Sequence, residues 1–287
     1  MKHAISTYLW TMHFDETNLN LLDRIKEWGY DGLEIGRFKL DNLPTKKIRQ
    51  ELEQRDLGCV FCSSLSGELS LIDEDKDIRR KALEFIKQTI EIASELGAKV
   101  LAGPMISPVG YITGRGYNQD EWQRAVESLG SLTETLEQHD VTFALEMLNR
   151  FETYFINTIA DGTKLCEEVN SSRIGLLVDT FHSNIEERDL GAAIRQGGKH
   201  IKHFQAIAND RGTPGSGSID WDGVYSALAE INYDGWSAIE TFNASIPEAA
   251  SRAYIWRPVA SSDKALATEG LAFMKQQEAK HSTTLVG

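Results

Sequence analysis

Short apolar or β-branched runs alternate with longer segments of helical period along the whole chain. That alternation constrains the fold more than any other feature. Strands are predicted over 3–10, 31–36, 58–64, 98–104, 141–148, 174–181, 200–207 and 236–242. Amphipathic stretches lie between them. Leu22, Ile25 and Trp28 mark one, and Leu83, Ile86, Ile90 and Ala93 mark another at spacings of three and four. Trp122, Val126, Leu129 and Leu136 mark a third; Val224, Leu228 and Ile231 a fourth; Leu271 with Met274 a fifth. The pattern is weakest after the sixth strand, over roughly 186–197. Strands that alternate with helices imply a parallel sheet, because each crossover sends the chain back in the same direction. Eight such units in 287 residues predict one closed (β/α)8 barrel, a single catalytic domain over 1–287. No G-x-G-x-x-G follows the first strand, which weakens a dinucleotide-binding reading. No linker rich in Pro, Gly or Ser divides the chain.

A local echo supports a repeated unit. Residues 27–32 read Glu-Trp-Gly-Tyr-Asp-Gly and residues 230–235 read Glu-Ile-Asn-Tyr-Asp-Gly. Gly29 and Asn232 fall where a helix ends in the left-handed conformation, which those two residue types tolerate best. The long connection 105–120, with Gly110, Gly114 and Gly116, is expected to be a flexible flap over the catalytic face. The tail from about 276 is expected to fray.

Charge and cysteine content narrow the partners. Lys+Arg is 30 and Asp+Glu is 43, a formal net charge of −13. Phosphate backbones repel such a chain, and no basic stripe offsets the balance, so nucleic acid is excluded as a partner. Cys59, Cys62 and Cys166 cannot build a disulfide framework. Cys59 and Cys62 have C-x-x-C spacing, but on a strand residues three apart point to opposite faces, so the pair reads as reduced thiols in a cytosolic core. No signal peptide is recognised in Met1–Trp10, and no apolar run reaches the roughly 18 residues of a membrane helix. The expectation is a cytoplasmic protein without a membrane partner.

In a barrel, residues at the C-terminal ends of the strands face the active site. Strand five ends Glu146-Met147-Leu148-Asn149-Arg150, and strand six ends Asp179-Thr180-Phe181-His182. Strand seven ends His203-Phe204-Gln205, and strand eight ends Glu240-Thr241-Phe242. Each apolar run thus carries one oxygen or nitrogen donor: Glu146, Asp179, Gln205 and Glu240. Carboxylates are costly to bury, and three on neighbouring strands repel unless a cation lies between them. A divalent metal resolves that cost; salt bridges with Arg150 and Arg211 are the plainer reading of the same residues.

Here the chain resembles a known family, the D-tagatose 3-epimerase/D-psicose (allulose) 3-epimerase group of the xylose-isomerase-like TIM barrels. The match is strongest in Glu146-Met147-Leu148-Asn149-Arg150-Phe151-Glu152 and in Asp179-Thr180-Phe181-His182-Ser183-Asn184-Ile185-Glu186-Glu187. It resumes in Asn209-Asp210-Arg211-Gly212 and Asp220-Trp221-Asp222, while His3-Ala4-Ile5 and Tyr8-Leu9-Trp10 fit the first strand. The resemblance implies a metal held by Glu, Asp, His and Glu. Glu146, Asp179 and Glu240 carry over directly; Gln205 stands where the family has His. An all-oxygen set favours the hard ions manganese and magnesium, with cobalt as a further option. The resemblance also gives Glu152, His182 and Arg211 the task of gripping the carbonyl and hydroxyl end of a sugar. Their plain structural alternatives are a helix-capping His182, a Glu152 paired with Arg150, and an Arg211 that anchors the Gly212–Gly217 loop. Ser6 stands where relatives have an aromatic residue near the substrate. Glu34, Cys62, Ser64 and Met105 are further candidates for the pocket wall, and His203 is expected to be a hydrogen-bonded residue two positions deeper than Gln205.

The function implied is a metal-dependent isomerase that inverts C3 of a ketose through a cis-enediolate. Glu146 and Glu240 would move the proton as base and acid. Gln205 keeps alternatives open, because it also occurs in 3-dehydroshikimate dehydratases of related fold. These are a metal-dependent lyase or dehydratase, an isomerase or eliminase of 3-keto-glycosides, and a non-catalytic sugar-binding paralogue. Family members are dimers or tetramers, so the resemblance implies a homo-oligomer.

Overall fold

A computed structural model describes residues 1–282 and closes eight parallel strands into a barrel, in chain order. They are β1 (Lys2–Ser6), β2 (Gly32–Gly36), β3 (Gly58–Cys62), β4 (Val100–Gly103), β5 (Thr142–Glu146), β6 (Ile174–Asp179), β7 (Ile201–Gln205) and β8 (Trp236–Ile239). β8 closes on β1, with Lys2 opposite Trp236 and Ile5 opposite Ile239. All eight expected strands are present, but most stop earlier than the apolar runs do. The reason is visible at two ends. After β1 the chain turns into a single 3-10 turn, Thr7–Leu9, capped by the Ser6 hydroxyl. After β6 it passes straight into a helix, Thr180–Glu186, whose N-terminus Asp179 caps by accepting from the Phe181 N–H at 2.6 Å. Apolar character continues into these turns because they remain buried, so hydrophobicity alone does not mark where pairing ends.

The two-residue period of each strand sorts its side chains. Phe143 and Leu145 of β5, Leu176 and Val178 of β6, and Cys59 and Phe61 of β3 join the main core between barrel and helices. Val60, Ala102, Ala144 and Leu177 face inward and pack together as a layer inside the barrel. Two residues further along β3, β5 and β6, the same inward face presents Cys62, Glu146 and Asp179. Small and branched residues thus fill the barrel's lower interior, and polar side chains occupy the layer at its mouth.

The outer helices include Asn20–Trp28, Lys76–Leu96, Ile159–Val169, Trp221–Glu230 and Asp263–Ser282. Gly29 (φ 89°) and Asn232 (φ 55°) do end their helices in the left-handed conformation. One helix, Thr45–Gln54, carried no sequence signal strong enough to mark it. Its buried face is only Thr45, Ile48 and Leu52, set in a run of charged residues. The weak segment after strand six contains a helix at Leu190–Gly197.

One expectation is corrected. The tail does not fray from 276: the last helix runs to Ser282, and Glu278 Oε1 lies 2.6 Å from His3 Nε2. The remainder of that predicted tail lies outside the described residues. The connection 105–120 reaches the inner cavity, where Val109 lines the wall, and is tied down at two points. The Gly110 N–H donates to Glu152 O at 2.7 Å, and Arg115 makes a bidentate pair with Glu121 at 2.9 Å. Among the described residues no helix is long and apolar enough to cross a membrane.

Candidate active site at the barrel mouth

Inward alternation on β2, β5, β6 and β7, with the residue just past β8, brings Glu34, Glu146, Asp179, Gln205 and Glu240 to the barrel mouth. All are buried, Glu34 and Gln205 completely. Asp179 and Gln205 are direct register partners. Glu146, Asp179 and His182 bring one ligand atom each within 4.8 Å of one another, and Glu34, Cys62 and Glu240 do the same. The predicted ligand set is therefore divided between two groups. Arg211 joins them: its Nη1 donates to Asp179 Oδ2 at 2.8 Å and to Glu240 Oε2 at 3.2 Å. Arg211 holds this position from a left-handed backbone conformation, φ 65°, with its carbonyl accepting from the Thr241 hydroxyl at 2.6 Å.

The electrostatics follow from burial and crowding. Burial, and then the neighbouring Glu240 and Asp179, push the Glu146 carboxyl well above the usual carboxylate range. Burial raises Glu240 as well, against the pull of Arg211, and raises Asp179 in the same way. Burial opposes the charge on Arg211, but Asp179 and Glu240 more than compensate and hold it protonated. His182 is kept neutral first by burial and then by Arg211. Its Nε2 lies 3.0 Å from Arg211 Nη2, and its Nδ1 lies 2.8 Å from the Asn149 amide. Asn149 also donates to Glu152 Oε1 at 2.9 Å. Glu152 is thus tied to Asn149, whereas Arg150 pairs on the exterior with Glu186 at 2.9 Å. One guanidinium faces three crowded carboxyls, and two buried acceptors, Glu146 Oε1 and Gln205 Oε1, have no hydrogen-bond partner. Bare oxygen acceptors beside surplus carboxylate are a donor set suited to a hard divalent cation.

An outer cleft of about 800 Å³ leads in, walled by Asn149, Glu152, Phe181, Arg211, Tyr254 and Trp256. Glu152 and Arg211 also line the inner cavity, where they meet Glu146, His182 and Glu240. The cavity's other wall is aromatic. The Tyr8 ring stacks between Phe38 and Phe242, each centroid 5.1 Å away. Tyr8 thus supplies an aromatic surface two residues beyond Ser6, whose side chain serves the turn. Arg252 completes this wall, 3.5 Å above the Phe38 ring and donating to Ser64 Oγ at 2.9 Å. Cys62 and Ser64 line the cavity as expected. Met105 does not; it packs in the outer core. Burial pushes the Cys59 and Cys166 thiols up to about 12, and burial with the nearby Glu34 and Glu240 raises Cys62 well above the usual thiol range, so none is poised as a thiolate. Sequence reasoning missed Asn149, Tyr8, Phe38 and Arg252. Asn149 and Tyr8 left a trace, the first inside the motif that ends strand five and the second as an aromatic residue beside an unexpected Ser6.

The Gly212–Gly217 loop is closed on itself. Asn209 Oδ1 accepts from the Ser218 N–H at 2.8 Å and fills the space where a Cβ on Gly217 would sit.

Comparison with known proteins gives a consistent result. Residues 22–277 match the family model described as the xylose isomerase-like TIM barrel. The chain is 38% identical over 276 residues to the "Probable ketose 3-epimerase" of Synechocystis sp., covering 96% of both chains. It is 29% identical over 266 residues to the D-psicose 3-epimerase of Ruminiclostridium cellulolyticum, covering 91% of this chain and 90% of that one. A solved structure of L-ribulose 3-epimerase superposes with a TM-score of 0.94 at 27% identity, over 99% of this chain and 97% of the other.

Proposed function

The chain belongs to the xylose isomerase-like TIM barrels and is an isomerase, and from that premise we propose that it inverts C3 of a ketose. The observation that carries the reading is that Glu146 and Glu240, on well-separated strand ends, line one inner cavity with Glu152, His182 and Arg211. A hydrogen on the carbon beside a carbonyl is a weak acid. Its removal needs a base whose pKa lies near the working pH, and burial moves both glutamates in that direction. One carboxylate takes the proton from one face of the carbon; the other returns a proton to the opposite face. Neutral His182, Arg211 and Glu152 supply donors and an acceptor for the substrate's carbonyl and hydroxyl oxygens. The Tyr8, Phe38 and Phe242 rings present an apolar surface to the carbon skeleton and exclude water from the cavity.

Glu146, Asp179, Gln205 and Glu240 are the residues that would hold one divalent ion, manganese or magnesium by the hardness of four oxygen donors. The unpartnered Glu146 Oε1 and Gln205 Oε1 support this assignment. When bound, the ion supplies Lewis-acid stabilisation of negative charge developing on the substrate oxygens, worth several kcal/mol.

The test is proton NMR in deuterated water with manganese-loaded protein and a panel of free ketoses. Deuterium at C3 with accumulation of the epimer is expected. A second reading, elimination of a β-hydroxyl, is favoured only by Gln205; loss of water from 3-keto substrates, with no epimer from any ketose, would replace the first reading by the second.

A further inference from the structure

Glu34 belongs to neither the proton-transfer pair nor the substrate grip, yet it is a fully buried carboxylate at the barrel mouth. Burying it is costly, and buried ion pairs stabilise folds weakly at best. Its contacts explain its presence better than stability does. Glu34 Oε1 accepts from the Gln205 amide nitrogen at 2.9 Å, and Glu34 Oε2 lies 2.6 Å from His203 Nε2. Two strands, β8 and β1, separate β7 from β2 in the closed barrel, so these contacts cross the interior rather than follow a ladder. His203 and Gln205 are both inward residues of β7, and one carboxylate takes both.

A carboxylate only accepts. It therefore selects the nitrogen end of the amide, and a carboxylate fixed by a second partner selects it in one orientation. With the nitrogen committed, the Gln205 oxygen is the end left bare, and it is buried without a partner. An amide that flipped end for end would offer N–H groups, which repel a cation.

The geometry points to Glu34, held by His203, as a positioning residue that locks the Gln205 amide with its oxygen free for a divalent cation. This rests on the metal assignment above, and it deepens it: Gln can stand in a ligand position because Glu34 fixes which atom it presents. Outer partners that orient a ligand in this way change metal affinity by about tenfold to a hundredfold when removed.

The test is titration of the full-length, metal-free protein with Mn2+, reading free Mn2+ by its paramagnetic resonance signal. Glu34→Asp keeps the charge but retracts the carboxylate from Gln205; Glu34→Leu removes the acceptor. Each is made in the wild-type and in the Gln205→Ala background. Affinity is expected to fall about tenfold or more for both variants in the wild-type background, and not to fall further when Gln205 is already alanine. Glu34→Asp binding Mn2+ as tightly as wild type would overturn the lock. So would an equal loss in both backgrounds, which would make Glu34 a ligand or a source of charge. Should Glu34→Leu fail to fold, the Glu34→Asp pair decides alone. A wild-type protein that takes up no Mn2+ would instead remove the metal assignment on which the lock depends.

Discussion

Asp179 and Gln205 stand directly opposite one another in the register between β6 and β7. A change at one therefore reaches the other without passing through a loop. Gln205→His places imidazole nitrogen beside Asp179 in place of amide oxygen. Nitrogen donors favour cobalt and zinc over magnesium. The variant is expected to bind Co2+ more tightly relative to Mg2+ than the wild type does, as read by competition titration. An unchanged Co2+/Mg2+ ratio would mean that residue 205 does not touch the metal.

Glu146 and Glu240 are both needed if the proton leaves one face and returns on the other. Glu146→Gln and Glu240→Gln should each reduce epimerisation by about 10²- to 10⁴-fold. The deuterium experiment separates their roles. A variant that has lost only the returning acid still exchanges the C3 proton of one epimer, whereas one that has lost the base for that epimer does not. Near-normal turnover in both variants would rule the pair out.

Much of this arrangement is legible in the sequence. An acid at the end of an apolar run is conspicuous, and Glu146, Asp179 and Glu240 each announce themselves that way. Glu34 does so only weakly, because it lies inside Gly-Leu-Glu-Ile-Gly and its partners are on β7, almost 170 positions away in the chain. Arg252 left no signal at all. It comes from a short helix, Pro247–Ala253, in a segment without strand character, and only the closed barrel brings it to Phe38 and Ser64. The charged surface of Thr45–Gln54 hid that helix for a related reason: Ile48 and Leu52 are the only apolar side chains that mark its buried face. Local pattern records what each strand or wide-faced helix buries. Contacts made across the barrel are recorded nowhere in it.

The site also predicts how stability varies with pH. Burial first, and then mutual repulsion, raise Glu146 above the range of an unfolded chain, and burial raises Asp179 and Glu240. A raised carboxyl holds its proton more tightly when folded. Its contribution is fully present below the unfolded value of about 4 and is lost as the pH rises through the folded values. Metal-free protein should therefore melt at falling temperature as the pH is raised from about 5 toward 8. A divalent ion displaces those protons, so the rise in Tm on adding Mn2+ should grow over the same interval. Thermal melts with chelator and with saturating Mn2+ check both statements; a chelated Tm that climbs across that interval contradicts them.

Gly36 is where the aromatic wall meets the barrel. A Cβ built there would lie 2.2 Å from the Tyr8 ring. Tyr8 is buried and stacked on both sides, so it cannot move aside without displacing Phe38 or Phe242. Gly36→Ala should cost about 1–3 kcal/mol, the usual range for overpacking, measured by denaturant unfolding. The KM for substrate should rise with it, because the ring that moves is a wall of the cavity. A stability within about 0.5 kcal/mol of wild type would mean that Tyr8 has room to shift.

Arg252 lines the inner cavity on the wall that carries Phe38 and Ser64. Its guanidinium lies over the Phe38 ring, is held by Ser64, and has no carboxylate partner among the described residues. A planar donor of this kind is suited to the oxygens at the end of the sugar remote from its carbonyl. Arg252→Leu keeps apolar contact with Phe38 and removes the donors. Losing a hydrogen bond to a charged group costs about 1.5–3 kcal/mol, so kcat/KM should fall by at least about tenfold. The loss should appear in KM, because Arg252 makes no hydrogen bond or ion pair with Glu146 or Glu240, the two residues assigned to proton transfer. Shortened ketoses that do not reach Arg252 should be turned over equally well by variant and wild type. Steady-state kinetics on ketoses of decreasing length provides the measurement, and an equal loss for every length would place Arg252 in the support of the cavity instead of in contact with substrate.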